Sequence, residues 1–168
     1  AADRPGEFPR VDVLAADEHA LLCRLAVFTG GFTLEAAEFL AADAPPTVID
    51  LLARLADHSL VVVDAEHTHG SARYRLLDTI RRYALEKLEA SGEMRALLAR
   101  RLDWCVSFAE QAAPQLIGAG RAEWLARLEA EQDNFRVALQ WALDTAAWEP
   151  GLRLAGALWR FWNMHGYF

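Results

Sequence analysis

The stretch from Arg73 to Leu88, RYRLLDTIRRYALEKL, changes period without a break. Arg73 and Arg75 alternate with Tyr74 and Leu76, the period of a half-buried strand. From Leu77 the apolar positions Leu77, Ile80, Ala84, Leu85 and Leu88 recur at helical spacing, and Arg81, Arg82, Glu86, Lys87 and Glu89 fill much of the opposite face. No Gly or Pro separates the two patterns, so a strand should pass into a helix through a rigid joint. The residues before the joint read as a compact helical unit with a hairpin, and the residues after it read as a stack of helices. The joint therefore ties two bodies together, and function is expected there.

Upstream, Pro5, Gly6 and Pro9 oppose regular structure, so residues 1–13 read as a linker. A first helix is expected over 17–29, with Leu21, Leu22, Leu25, Ala26 and Phe28 inward and Gly30 and Gly31 as its stop. Thr33 is placed to cap a second helix over 34–42, with Leu34, Ala37, Phe39 and Leu40 inward. Pro45 and Pro46 interrupt it. Thr47, with Asp50 three residues on, approximates a capping box for a third helix that buries Val48, Leu51, Leu52 and Leu55 and ends near His58 and Ser59. A β-branched strand over 60–64, a polar loop over 65–72 and the strand over 73–76 form a hairpin whose loop is too long for a tight turn. Three helices followed by a hairpin is the order of a winged helix, a helix-turn-helix variant.

Downstream, helices are expected over 77–90 and 94–113, stopped by Gly92 and Pro114. Gly118 and Gly120 mark a loop. Trp124, Leu128, Phe135, Leu139 and Ala142 then form a stripe that reads as one helix or as two, with Asp133 and Asn134 as a candidate cap inside it. Pro150 suits the first turn of a last helix, with Leu154, Leu158, Phe161 and Trp162 inward and Gly166 as its stop. The last two helices have the size of one helical-repeat unit, and such units bury their faces by stacking. The expected class is thus mainly α: a winged-helix domain over 14–76, connecting helices over 77–118, and the start of a tetratricopeptide-like superhelix over 119–168.

Composition bears on partners. With 54% hydrophobic and 24% charged residues, 168 residues can bury a core. The net charge of -7 opposes a broadly basic nucleic-acid binder without excluding a local basic patch. The chain has no apolar run of membrane-spanning length, and Cys23 and Cys105 read as separate reduced thiols, so a cytoplasmic protein is expected. The missing initiator Met and the aromatic ending LWRFWNMHGYF suggest a piece of a longer protein, with further helices beyond it.

Several groups invite chemistry. On the third helix the polar positions are Asp50, Arg54, Asp57 and His58, a neutral to acidic face that argues for protein contacts rather than DNA. Arg73, Arg75, Arg81 and Arg82 form a basic cluster, a candidate contact patch for phosphate or an acidic partner, or a solvated face partly paired with Asp78 and Glu86. His67 and His69, near Asp64 and Glu66, lack the spacing and supporting shell of a metal site, and His165 reads as a helix-end histidine. Five tryptophans, Trp104, Trp124, Trp141, Trp159 and Trp162, fall in the C-terminal helices, with Trp148 in a turn, and their spacing favours core packing over a base-stacking platform. No phosphate-binding glycine loop, GxSxG or HExxH occurs, so the chain is expected to be non-catalytic and to hold no cofactor or metal.

The segments LLCRLAVFTGGFTLEAAEFL, VIDLLARLADHSLVVV, YRLLDTIRRYALEKLEASGE, WLARLEAEQDNFRVALQWAL and GLRLAGALWRFW resemble successive blocks of bacterial STAND-class regulatory ATPases, the LuxR-like and antibiotic-regulator-like transcriptional regulators. The resemblance runs from about Leu21 to Trp162. In that family a P-loop ATPase domain precedes a winged helix and a tetratricopeptide-like superhelix. The resemblance implies a non-catalytic regulatory module whose winged helix docks on its own upstream ATPase domain, with repeats that sense a protein or small-molecule inducer. Related proteins end the winged helix in a Met-His-Asp motif whose His touches nucleotide. Here YRLLDTI sets Leu76, Leu77 and Asp78 at those positions, and a leucine cannot donate to a phosphate. The resemblance then implies an interdomain latch at Leu77 and Asp78 that works by packing. On this reading DNA contact by this part of the chain is unlikely. The alternative is a DNA-binding winged-helix regulator with a helical dimerisation or ligand domain, supported by the element order and the arginines near the hairpin.

Overall fold

The computed structural model describes residues 11–41, 47–64 and 72–165, the last without its side chain. The segments around Pro45 and Pro46, the hairpin loop with His67 and His69, most of the leading linker and Gly166 lie outside the described residues. The chain divides into two compact units: Ala1–Val27 with Gly31–Met94, and Phe28–Gly30 with Arg95–Phe168.

The first unit runs α1 (Ala16–Leu25), β1 (Phe32–Thr33), α2 (Leu34–Leu40), α3 (Val48–Asp57), β2 (Val61–Asp64), β3 (Arg73–Leu76) and α4 (Asp78–Ser91). α1 begins where the Glu18 carboxylate turns back to accept the Ala15 N–H at 3.0 Å. It ends four residues before the expected Thr29, because residues 28–30 leave the helix and pack in the second unit. Thr33 caps α2 as expected, its hydroxyl accepting the Ala36 N–H at 3.2 Å. Thr47 does not complete a capping box on α3. Its hydroxyl instead bonds the Asp50 side chain. α3 closes with Ser59 at φ 59° and the Leu60 N–H on the Leu55 carbonyl, a left-handed cap made without glycine.

The hairpin of β2 and β3 gains a third strand. β1 pairs antiparallel with β3, Phe32 opposite Tyr74, so the sheet order is β1-β3-β2 and β3 is central. Two residues are too few to show a period, which is why β1 has no sequence signature. Gly31 leads into β1 at φ 99°, and a Cβ there would lie 2.8 Å from the Tyr74 carbonyl oxygen, so only glycine fits this approach. α1 packs against α2, α3 and α4, and the core between them holds Leu22, Leu25, Leu40, Leu51, Leu52, Leu55 and Leu88. Each such leucine contributes roughly 1.5–3 kcal/mol by leaving water. Phe39, expected inward on α2, is exposed. The strand-to-helix passage is present, since β3 ends at Leu76, Leu77 is the single extended residue between, and α4 starts at Asp78, but β3 and α4 both belong to the first unit, so this passage does not tie the two units as expected.

The second unit contains α5 (Met94–Ala112), a 3-10 turn over Ala113–Ile117, α6 (Arg121–Ala130), α7 (Gln132–Asp144) and α8 (Trp148–His165). The stripe over 120–147 is thus two helices. Glu131 ends one and begins the other, so the break falls two residues before the expected cap at Asp133. α7 packs on α8, where Gly151 lets the backbone approach the Ala142 methyl. The core centres on Phe108, with Trp104 stacked at 5.4 Å and Phe135 at 6.2 Å between ring centroids. Trp104 is buried as expected, but Trp148 and Trp159 are exposed. Among the described residues no helix is long and apolar enough to cross a membrane.

Candidate nucleic-acid interface

α2 packs on α3 in the order of a helix-turn-helix pair, so the outward face of α3 is the first surface to read. α3 is strongly amphipathic. Val48, Leu51, Leu52 and Leu55 are buried, and Ile49, Asp50, Ala53, Arg54 and Asp57 are exposed. Arg54 is the only basic residue of α3. One of its terminal nitrogens lies 3.5 Å from the Glu18 carboxylate of α1. Glu18 is itself buried, which holds the acceptor still while the arginine side chain stays 54% exposed.

The arginines read from the sequence as one patch do not share one environment. Arg73 and Arg75 sit two apart on β3, yet only Arg75 is exposed. Arg73 faces Thr33 and Asp64 on the central strand and is buried, its guanidinium donating to the Gly31 carbonyl at 3.2 Å. On α4, Arg82 is exposed and Arg81 half-buried. The latch residues are both at the surface: Leu77 is 40% exposed and Asp78 is exposed. Sequence reasoning missed the Arg54–Glu18 pair, because 36 positions separate the two residues and only the packing of α1 on α3 joins them.

Cys23 in the first unit and Cys105 in the second are free and buried. Burial raises both thiols, and for Cys105 the Glu131 carboxylate adds to the effect, so neither is a ready nucleophile. In the second unit a 330 Å³ depression is lined by Asp103, Ser107, Glu110, Glu149 and Arg153, among others. Arg153 spans it, bonding both Glu110 oxygens at 2.8 and 2.9 Å and Glu149 at 3.3 Å, so its charge is spent within the site. Among the described residues no group of three or more His, Cys, Asp or Glu is arranged to hold a metal ion.

Residues 14–89 match the winged helix-turn-helix domain family. The chain is 40% identical over 153 residues to a protein of Mycobacterium tuberculosis named "Putative HTH-type transcriptional regulator", and equally to one of the same name in Mycobacterium bovis. Those alignments cover 89% of this chain and 17% of each relative, so the chain spans about one-sixth of their length. An uncharacterized protein of Mycobacterium tuberculosis is 47% identical over 92 residues, which cover 52% of this chain and 23% of that protein. No solved structure matches. The chain therefore carries a winged helix-turn-helix domain and is homologous to proteins named as transcriptional regulators.

These findings overturn the expectation that DNA contact is unlikely. The net charge of -7 was the wrong scale for that judgement, since it sums 168 residues while a winged helix meets DNA through one helix and one hairpin. An acidic residue on α3 weighs against phosphate contact and not against contact with a base edge.

Proposed function

We propose that this chain is the DNA-contacting module of a transcriptional regulator, in which α3 enters the major groove and the exposed arginines of the hairpin and α4 meet phosphates. The observation that carries the reading is the winged helix-turn-helix match over residues 14–89, together with the amphipathic α3 that leaves a full outward face uncovered. Arg75 and Arg82 are the exposed cations beside the joint and are assigned the phosphate contacts. In this reading the module is not catalytic and works in the cytoplasm, and the second unit serves to receive signals or partners as the start of a helical repeat array. The relatives named as HTH-type transcriptional regulators are about five times as long as this chain, which supports a module within a larger switch.

Fluorescence anisotropy of the chain on random duplex DNA, titrated with salt, tests the reading. Affinity should fall log-linearly with salt, and Arg75→Ala or Arg82→Ala should each reduce the slope by about one. No binding at low ionic strength overturns it.

A second contact is proposed at the joint, on the exposure of Leu77. An apolar side chain held at the mouth of α4 with Asp78 beside it suits docking of another domain of the longer protein, such as a regulatory ATPase domain. Pulldown of that domain should be lost in Leu77→Ser, which removes the apolar side chain without adding charge, while DNA affinity of the isolated chain is unchanged. Capture that is equal in wild type and variant sinks this contact alone.

A further inference from the structure

We infer that Arg54 reads a guanine and that Glu18 is the positioning residue that aims it. The inference rests on the DNA-contacting reading above and assigns within it the residue that sets sequence preference. Asp50, Ala53, Arg54 and Asp57 stand at i, i+3, i+4 and i+7 and are all exposed, so they form one outward stripe of α3. Arg54 is the only cation in that stripe and is flanked one turn away on each side by a carboxylate. Such a face is poor at holding phosphates, because two aspartates oppose the backbone charge. It is suited to base edges. A guanidinium fork matches the O6 and N7 acceptors of guanine, and a carboxylate accepts from the amino group of cytosine.

The second observation is the tether. Glu18 is buried on α1 and has both oxygens committed: Oε2 accepts the Ala15 N–H at 3.0 Å, and Oε1 pairs with the Arg54 guanidinium at 3.5 Å. A long exposed arginine usually spends conformational entropy to reach a base. Here a carboxylate fixed by a helix cap restricts the side chain before binding, while the arginine side chain stays 54% exposed. A tethered guanidinium discriminates by geometry, whereas an untethered one would follow the nearest phosphate.

Selection of bound duplexes from a random library, with the full 168-residue chain, tests both assignments. The wild type should enrich a motif with an invariant G·C pair, discriminated by roughly five- to a hundred-fold against other pairs. Arg54→Ala should lose preference at that pair alone and keep the rest of the motif. Arg54→Lys, which keeps the charge without the fork, should weaken it. Glu18→Gln should blur the same pair. Thr33→Ala serves as the control for lost stability, since it removes a helix cap elsewhere in the unit and should leave base preference intact. If Arg54→Ala selects the wild-type motif, or loses affinity evenly on all sequences, Arg54 does not read a base. If Glu18→Gln keeps full preference at the pair, the positioning role is wrong. If the wild type binds no duplex, this inference and the DNA-contacting reading fall together, whereas enrichment retained by Arg54→Ala sinks the inference alone.

Discussion

The two units bury polar groups in different ways. In the winged-helix unit the core between the helices is leucine, and its buried charges are Glu18, which accepts the Ala15 N–H and pairs with Arg54, and Arg73, whose contacts include the Gly31 carbonyl. In the helical unit a polar network runs through the interior. Asn134, fully buried, donates to the Glu131 carboxylate at 2.6 Å and accepts the Thr29 N–H at 2.7 Å, while Arg101 donates to the Val137 carbonyl and the Cys105 thiol lies near the Asn134 carbonyl. An apolar core accepts many packings of similar volume, but a buried polar network accepts one, because any other arrangement leaves a group unpaired. The helical unit therefore obtains its register from hydrogen bonds, and the winged-helix unit obtains its register from helix amphipathicity and strand pairing.

The sharpest test of that contrast is Asn134→Leu. The side chain fills a similar volume, so lost packing is small. The Glu131 carboxylate loses a buried donor and the Thr29 N–H loses its acceptor, for a cost of about 3 kcal/mol. Chemical denaturation of the whole chain should show the loss, and hydrogen exchange should locate it in α6 and α7. A loss below about 1 kcal/mol, the size of a single ordinary hydrogen bond, would mean the network is incidental to stability.

Gly31→Ala should cost about 2 kcal/mol, because the residue sits at φ 99° with a backbone oxygen where the Cβ would go. Gly92→Ala is the comparison. Its φ is 80° but the space is open, so only the left-handed conformation is penalised and about 1 kcal/mol is expected. Equal losses at the two positions would show that the close approach of β1 to β3 carries no separate weight.

These two positions also mark how far the sequence was legible. The change of period at Leu76 and Leu77 located the joint to the residue, because strand and helix periodicities are both long enough there to count. Thr33 was legible as a cap because its chemistry is local. β1 was not legible, since its two residues are a strand only by virtue of β3, which is distant in sequence. The break at Glu131 was hidden because no Gly or Pro marks it, and Asn134, which looked like a cap, turns inward instead. The alternation of Arg73 and Arg75 marks a strand, but it does not show that β1 flanks residue 73 and stops short of residue 75, and strands on both sides are what bury Arg73 while Arg75 stays exposed. On the candidate interface, the composition of α3 is visible in the sequence, but the Glu18 contact of Arg54 is not, since it comes only from packing.

Arg73→Met probes the margin of the leucine core. The methionine replaces the aliphatic stem, and at least the donor to the Gly31 carbonyl is lost, so a loss of at least about 1 kcal/mol is expected in denaturation. A loss as large as that of Asn134→Leu would erase the difference between the units. The smallest effect belongs to Arg153→Ala. Glu110 bonds this arginine with both oxygens, and that hydrogen bond holds its carboxyl below the ordinary range. A lowered folded-state value means that the pair adds stability above the unfolded carboxyl's titration and loses it as pH falls through the folded value. The pair is exposed, however, so water and salt screen it, and the denaturation midpoint should not move measurably at physiological salt. What should move is the Glu110 titration followed by NMR, which rises toward that of an ordinary glutamate in the variant. A clear fall in stability with no change in that titration would mean that the arginine acts by packing its stem along α8 and not by its charge.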